Sequence, residues 1–238
     1  MTEQLFHADA YLREFEASVV AASGQEVVLD RTAFYPGGGG QPPDRGALAW
    51  EGGEARVSEV RRRDGEMWHA LEGAAPAVGT RVHGALDWDR RYQLMRTHTA
   101  MHILCGVIWR DYKASVTGGN MEPLRGRMDF EFETMRQELV REIQEKLNRE
   151  VAESRPVRSR ILPRAEAFRI PDLIRTKINL LPEGILEVRV VEIEGLDLQA
   201  DGGTHVANTS EVGSIRILEY KSKGAINKRL VVGVEGEP

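Results

Sequence analysis

Up to about residue 88 the chain runs in short apolar or alternating segments, at 26–30, 46–50, 55–62, 67–71 and 81–88. Alternation with period two buries one face of a strand, so each segment is predicted to be a β-strand. Turn signals such as Glu51-Gly52-Gly53-Glu54 and Asp64-Gly65 separate them. Short strands at regular spacing predict a small barrel. Beyond residue 88 the period changes. Residues 90 to about 110 read as a helix, and about 131–153 as a second, with Leu139, Val140, Ile143, Leu147 and Val151 as its apolar stripe. Between them 117–120 reads as a loop and 125–132 as a strand, and strands are expected at 157–162, 186–193, 212–220 and 229–234. Helices grouped against strands, without βαβ alternation, give an α+β fold. The expected organisation is a β-barrel domain over 1–88 followed by an α+β domain over 89–238.

Thr32-Ala33-Phe34-Tyr35-Pro36-Gly37-Gly38-Gly39-Gly40-Gln41-Pro42-Pro43-Asp44-Arg45-Gly46 interrupts the strand pattern. Four consecutive glycines carry an entropic penalty, and they are expected where a ligand or another chain comes close to the backbone. No Gly-Lys-Ser/Thr follows and no helix is predicted after the loop, which argues against a nucleotide-binding P-loop.

At 238 residues and 41% hydrophobic the chain has enough apolar material for one large domain or two small ones. No apolar run is long enough for a membrane helix, and the first residues lack a secretory signal. A single cysteine, Cys105, excludes an internal disulfide framework and fits a reducing compartment, so a cytoplasmic location is expected. The net charge of −5 argues against indiscriminate nucleic-acid binding. Its distribution changes that picture. Residues 155–177 hold seven cations against two acids, and 216–229 hold five against one. Two basic stretches on an acidic protein fit a polyanion held at one surface, and equally the solvated faces of strands.

The chemistry concentrates in His98-Thr99-Ala100-Met101-His102 and Asp201-Gly202-Gly203-Thr204-His205. Each segment spaces two potential metal ligands four apart. On a helix that spacing puts both side chains on one face, and in a Gly-Gly turn the backbone bends enough to present both together. Imidazoles completed by a carboxylate or thiolate make Zn2+ the expected ion. Cys105, seven residues after His98, competes as a ligand and reads more simply as a core thiol. The helix pair resembles the His-Glu-x-x-His of zinc peptidases, but Thr99 stands where their glutamate base would be, which argues against peptidase chemistry.

Together Thr32, Phe34-Tyr35-Pro36, Gly38-Gly39-Gly40-Gln41, Arg96-Thr97-His98-Thr99-Ala100-Met101-His102 and Asp201-Gly202-Gly203-Thr204-His205-Val206 resemble the AlaX family of free-standing alanyl-tRNA editing proteins, in their medium-length form. The resemblance implies a small barrel followed by an editing domain of the threonyl/alanyl-tRNA synthetase second-additional-domain type. It places the zinc ligands at His98, His102, Asp201 and His205, with Asp201 where the commoner pattern has cysteine. It implies deacylation of mischarged tRNA(Ala), chiefly seryl-tRNA(Ala) and also glycyl-tRNA(Ala). An apolar pocket rejects an added hydroxyl by only about 10², so a second, hydrolytic sieve is physically reasonable. The same resemblance puts Thr32 beside the misplaced side chain and Gln41 near the ester or terminal ribose, with His98 and His102 as catalytic ligands. Arg175, Lys177, Lys221 and Lys223 are then expected to grip acceptor-stem phosphates. The competing readings are a non-catalytic, zinc-stabilised RNA-binding module and a metallohydrolase of small esters.

Overall fold

The computed structural model describes residues 2–176 and 184–236, which divide into two compact units, 1–93 and 94–238. In the first unit, β1 (Glu3–Gln4) pairs in parallel with β4 (Arg31–Thr32), and a single turn, α1 (Leu5–Ala8), follows β1. The remaining strands are β2 (Glu14–Ser23), β3 (Glu26–Leu29), β5 (Gly46–Trp50), β6 (Gly53–Arg63), β7 (Glu66–Glu72) and β8 (Arg81–Leu86). They close into an antiparallel barrel in the order β2-β3-β7-β6-β5-β8, as the alternating segments predicted. Inward-facing Phe15, Ala17, Val19, Val27, Leu29, Leu48, Val57, Leu71 and Val82 fill it. Closure leaves these strands no free edge. In β6 the buried residues step from Val57 to Val60 instead of alternating, because a bulge between Val57 and Glu59 resets the pleat.

Helix α2 (Trp88–Tyr112) begins in the first unit and continues in the second, so Trp88, expected to close a strand, opens a helix. In the second unit β9 (Val116–Glu122), β10 (Arg125–Glu131), β14 (Ser214–Ser222) and β15 (Asn227–Glu235) form one antiparallel sheet, ordered β14-β15-β10-β9. A second antiparallel sheet comprises β11 (Val157–Pro163), β12 (Glu187–Ile193) and β13 (Asp197–Ala200). A short helix, α4 (Arg164–Ala167), follows β11, and a 3-10 turn (Thr209–Val212) precedes β14. The 117–120 segment, expected as a loop, lies inside β9 because β10 pairs with Gly118, Gly119 and Asn120 and, past a register shift, with Val116. Helix α3 (Gln137–Ala152) starts later than expected, since residues up to 131 are committed to β10.

The outer edge of β14 is covered by α3. Asn148 Nδ2 donates to the Ile215 carbonyl (2.8 Å) while its Oδ1 accepts from the Ile215 amide (2.9 Å), and Gln144 Oε1 accepts from the Ile217 amide (2.8 Å). Two amides four apart on α3 thus take the place of a neighbouring strand. Helix α2 is buried on most sides: Leu94, Met95, Ile103, Leu104, Val107 and Ile108 are apolar, and Arg96, Thr97, His98, Thr99 and His102 are buried beside them. Among the described residues no helix is long and apolar enough to cross a membrane.

Candidate metal centre

Polar side chains on a buried helix need partners, and those of α2 find them in two places. Arg96 donates to the carbonyls of Val212 (2.9 and 3.1 Å) and Gly236 (2.6 Å), tying α2 to the segments that flank β14 and β15. The histidines turn the other way, toward the loop after β13. His98, His102, Asp201 and His205 each offer a ligand atom, and these atoms all lie within 4.8 Å of one another. The ring centroids of His98 and His205 are 4.2 Å apart, and those of His102 and His205 are 4.7 Å apart. Asp201 Oδ2 lies 3.0 Å from His205 Nε2, and Oδ1 lies 3.5 Å from His98 Nε2. A first-row ion with bonds of roughly 2.0–2.2 Å needs a cluster of this size.

Each imidazole is also held from outside the cluster. His102 Nδ1 donates to Asp197 Oδ2 (3.1 Å), Thr99 Oγ1 lies 3.2 Å from His205 Nδ1, and His98 has a backbone hydrogen bond with Thr204. For His102 and His205 the protein occupies Nδ1, which leaves Nε2 for the interior; such outer partners orient ligands at metal sites. The loop carrying Asp201 and His205 is pinned by Arg189, which donates to the carbonyls of Asp201 (3.1 Å) and Gly203 (2.9 Å). The Gly203 amide donates to Asp201 Oδ2 (2.7 Å).

The electrostatics put His98, His205 and Asp201 in the protonation states a cation requires, and act in the opposite sense at His102. Burial lowers His98 to about 4, further than the Asp201 carboxylate raises it. Burial also lowers His205, with the charges of His98 and His102 acting in the same sense. Burial works against the charge on Asp201, but the three imidazoles hold its carboxyl well below the ordinary range. At His102 the hydrogen bond and charge of Asp197 outweigh burial and raise the ring. Neutral imidazoles around an ionised carboxylate are the ligand forms of a divalent metal site. The donor set of three nitrogens and one oxygen fits zinc and, more broadly, borderline divalent ions. Cys105 is a buried free thiol outside the cluster, raised well above its ordinary range by burial and by Asp197.

The other expected site residues are placed as follows. Thr32, in the first unit, is fully buried. His69 Nδ1 lies 3.2 Å from the Val27 carbonyl and must donate to it, so Nε2 accepts the Thr32 hydroxyl proton (2.9 Å). Thr32 Oγ1 in turn accepts from the Phe34 amide (3.1 Å). Gln41 is buried, and its backbone pairs with Gly38 across the glycine run, where all four glycines have positive φ, from +58° to +135°. Only glycine adopts such a run without strain. Beyond it, Asp44 accepts from the Tyr35 amide (2.6 Å) and is held by the fully buried guanidinium of Arg91. The side chain of Arg175 is only 10% exposed: it faces Asp197 and Asp172 and lies over the Trp109 ring. That is an internal position rather than an open grip on a phosphate. Lys221 and Lys223 are exposed, with Lys221 beside Glu219 (2.7 Å). Lys177 lies outside the described residues. Thr99 and Asp197 were not foreseen as site residues. Thr99 carried a signal as the residue between the paired histidines, whereas Asp197 carried none.

The cage could hold a metal ion, and it lies in the α+β unit of a chain whose other unit contains a closed barrel. The class II (A) tRNA synthetase family matches residues 4–90, and the threonyl and alanyl tRNA synthetase second additional domain matches residues 188–231. The alanyl-tRNA editing protein AlaX-M of Saccharolobus solfataricus is 41% identical over 99% of this chain and 100% of its own length. That of Methanosarcina barkeri is 39% identical over 97% of this chain and 98% of its own. The alanine–tRNA ligase of Thermofilum pendens is 42% identical over 92% of this chain but only 24% of the ligase. The chain belongs to the AlaX-M family of alanyl-tRNA editing proteins.

Proposed function

We propose that this protein is a trans-editing hydrolase in the cytoplasm that deacylates tRNA(Ala) carrying the wrong amino acid, seryl-tRNA(Ala) foremost and glycyl-tRNA(Ala) second. The observation that carries the reading is the convergence of His98, His102, His205 and Asp201 into one cage, in a chain that aligns with editing proteins from end to end. These four residues would hold Zn2+, and the bound ion would supply positioning and electrostatic stabilisation at the aminoacyl ester.

The chain's own residues prepare the site. Asp197 and Thr99 fix two of the imidazoles, and Arg189 fixes the turn that brings in the fourth donor. An aminoacyl ester is already activated, so no strong general base is required. That accords with a threonine at position 99, whose hydroxyl here orients His205. Thr32 and Gln41 enter the reading through the glycine loop, Thr32 by anchoring its start and Gln41 by meeting the aminoacyl or ribose end. Lys221, Lys223 and Lys177 are assigned to acceptor-stem phosphates, and Arg175 to the support of Asp197. The alternative, an ion that merely clips an RNA-binding module together, is less well supported, because protein hydrogen bonds already orient the rings.

The deciding experiment is deacylation by purified, metal-assayed protein of seryl-, glycyl- and alanyl-tRNA(Ala). Hydrolysis of the first two with alanyl-tRNA(Ala) spared is the expected result. No release from any of them, with zinc present, overturns the reading.

A further inference from the structure

Asp197 stands just outside the cage. Its carboxylate is buried, and it is not among the four residues that converge. Oδ2 accepts from His102 Nδ1 (3.1 Å) and from Gln199 Nε2 (2.6 Å), while Oδ1 lies 3.7 Å from Arg175 Nε. A buried carboxylate is costly unless charge and hydrogen bonds compensate it. The compensation here is directional: the Oδ2 that Gln199 steadies is the oxygen that accepts the hydrogen bond from the imidazole N–H.

The backbone also makes room for this contact. Gly106 is one turn beyond His102 on α2, and a Cβ there would lie 2.9 Å from Leu196 Cγ and 3.1 Å from Asp197 Cβ. Glycine within a long helix is less favourable than alanine. At this position it lets the turn before β13 rest directly against the helix face that bears His102.

We propose that Asp197, seated by Gly106 and supported by Gln199 and Arg175, is a positioning residue that sets metal affinity by locking the ring of His102. The proposal rests on the metal-binding reading above. A carboxylate on Nδ1 fixes the tautomer whose Nε2 lone pair points at the other donors, and it strengthens that nitrogen as a ligand. Removing such outer partners typically weakens metal binding by about 10–100-fold.

The test is a competition titration with a chromophoric chelator, using Zn2+ and Co2+ on the full-length parent, Asp197→Asn and Gly106→Ala. Asp197→Asn is expected to bind each ion about 10–100-fold more weakly, with the near-UV circular dichroism of the metal-free protein unchanged. Gly106→Ala is expected to weaken binding too, although alanine favours the helix. Parent-like affinity in folded Asp197→Asn overturns the proposal. Should that variant not fold, the nitrogen-15 shifts of His102 in the metal-loaded parent decide: metal on Nε2 with Nδ1 protonated supports the proposal, and metal on Nδ1 overturns it. A parent that takes up neither ion overturns the metal reading itself, an outcome distinct from a parent and variant that bind alike.

Discussion

His69 is sealed inside the barrel, between the Val27 carbonyl and the Thr32 hydroxyl, and burial lowers it to about 4. Well above pH 6.5 the ring is neutral in both the folded and unfolded chain and contributes no pH dependence. Below that the unfolded chain takes up a proton that the folded barrel refuses down to about pH 4, so stability falls on acidification across this window, by about 3 kcal/mol in all. His69→Gln should remove this component: urea unfolding between pH 7 and pH 4 should show a smaller loss of stability than in the parent. At the cage, His98→Ala deletes one donor but leaves the partners of His102 and His205 in place. Deacylation should fall by at least about 10²-fold, or ~2.7 kcal/mol of barrier, while the metal-free protein keeps its circular dichroism spectrum. Loss of fold would instead favour the structural-clip reading.

Among the elements, the β14 edge rests on two side chains of α3, Asn148 and Gln144. Asn148→Ala strips partners from both the amide and the carbonyl of Ile215. The expected loss is about 1–3 kcal/mol, measured by urea unfolding, with little change in metal binding. The elements also show what the sequence made legible. Strands β6 and β8 were readable because inward Val57, Val60, Val82 and Leu86 stand among mostly polar neighbours. β2 was not, since its inward set includes Ala17 and its outward set includes Val20, which blurs the alternation. In β9, Gly118-Gly119-Asn120 has the local chemistry of a turn, and only pairing with β10 makes it a strand. Within the cage, all four converging donors were readable from their spacing. Asp197 was not, because an aspartate in Gly195-Leu196-Asp197 has the look of a turn residue until tertiary packing sets it behind His102.

For the whole molecule, the question is how an acidic protein engages RNA. In the first basic stretch Arg155 pairs with Glu150 and Arg175 with the buried Asp197, while Arg158 pairs with Glu194 at the surface. Lys221 and Lys223 remain at the surface. If both meet phosphates, Lys221→Ala and Lys223→Ala should each weaken tRNA binding and reduce the slope of log K against log salt by about 0.7–0.9. An unchanged slope in binding titrations would remove that lysine from the interface.

The cage also holds no sulfur. With a carboxylate, Asp201, as the fourth candidate donor, and with the single thiol of the chain, Cys105, buried outside the cluster, peroxide has no thiolate to convert to sulfenic acid among these four residues. An ion held by these four residues would therefore not be lost through oxidation of a sulfur ligand.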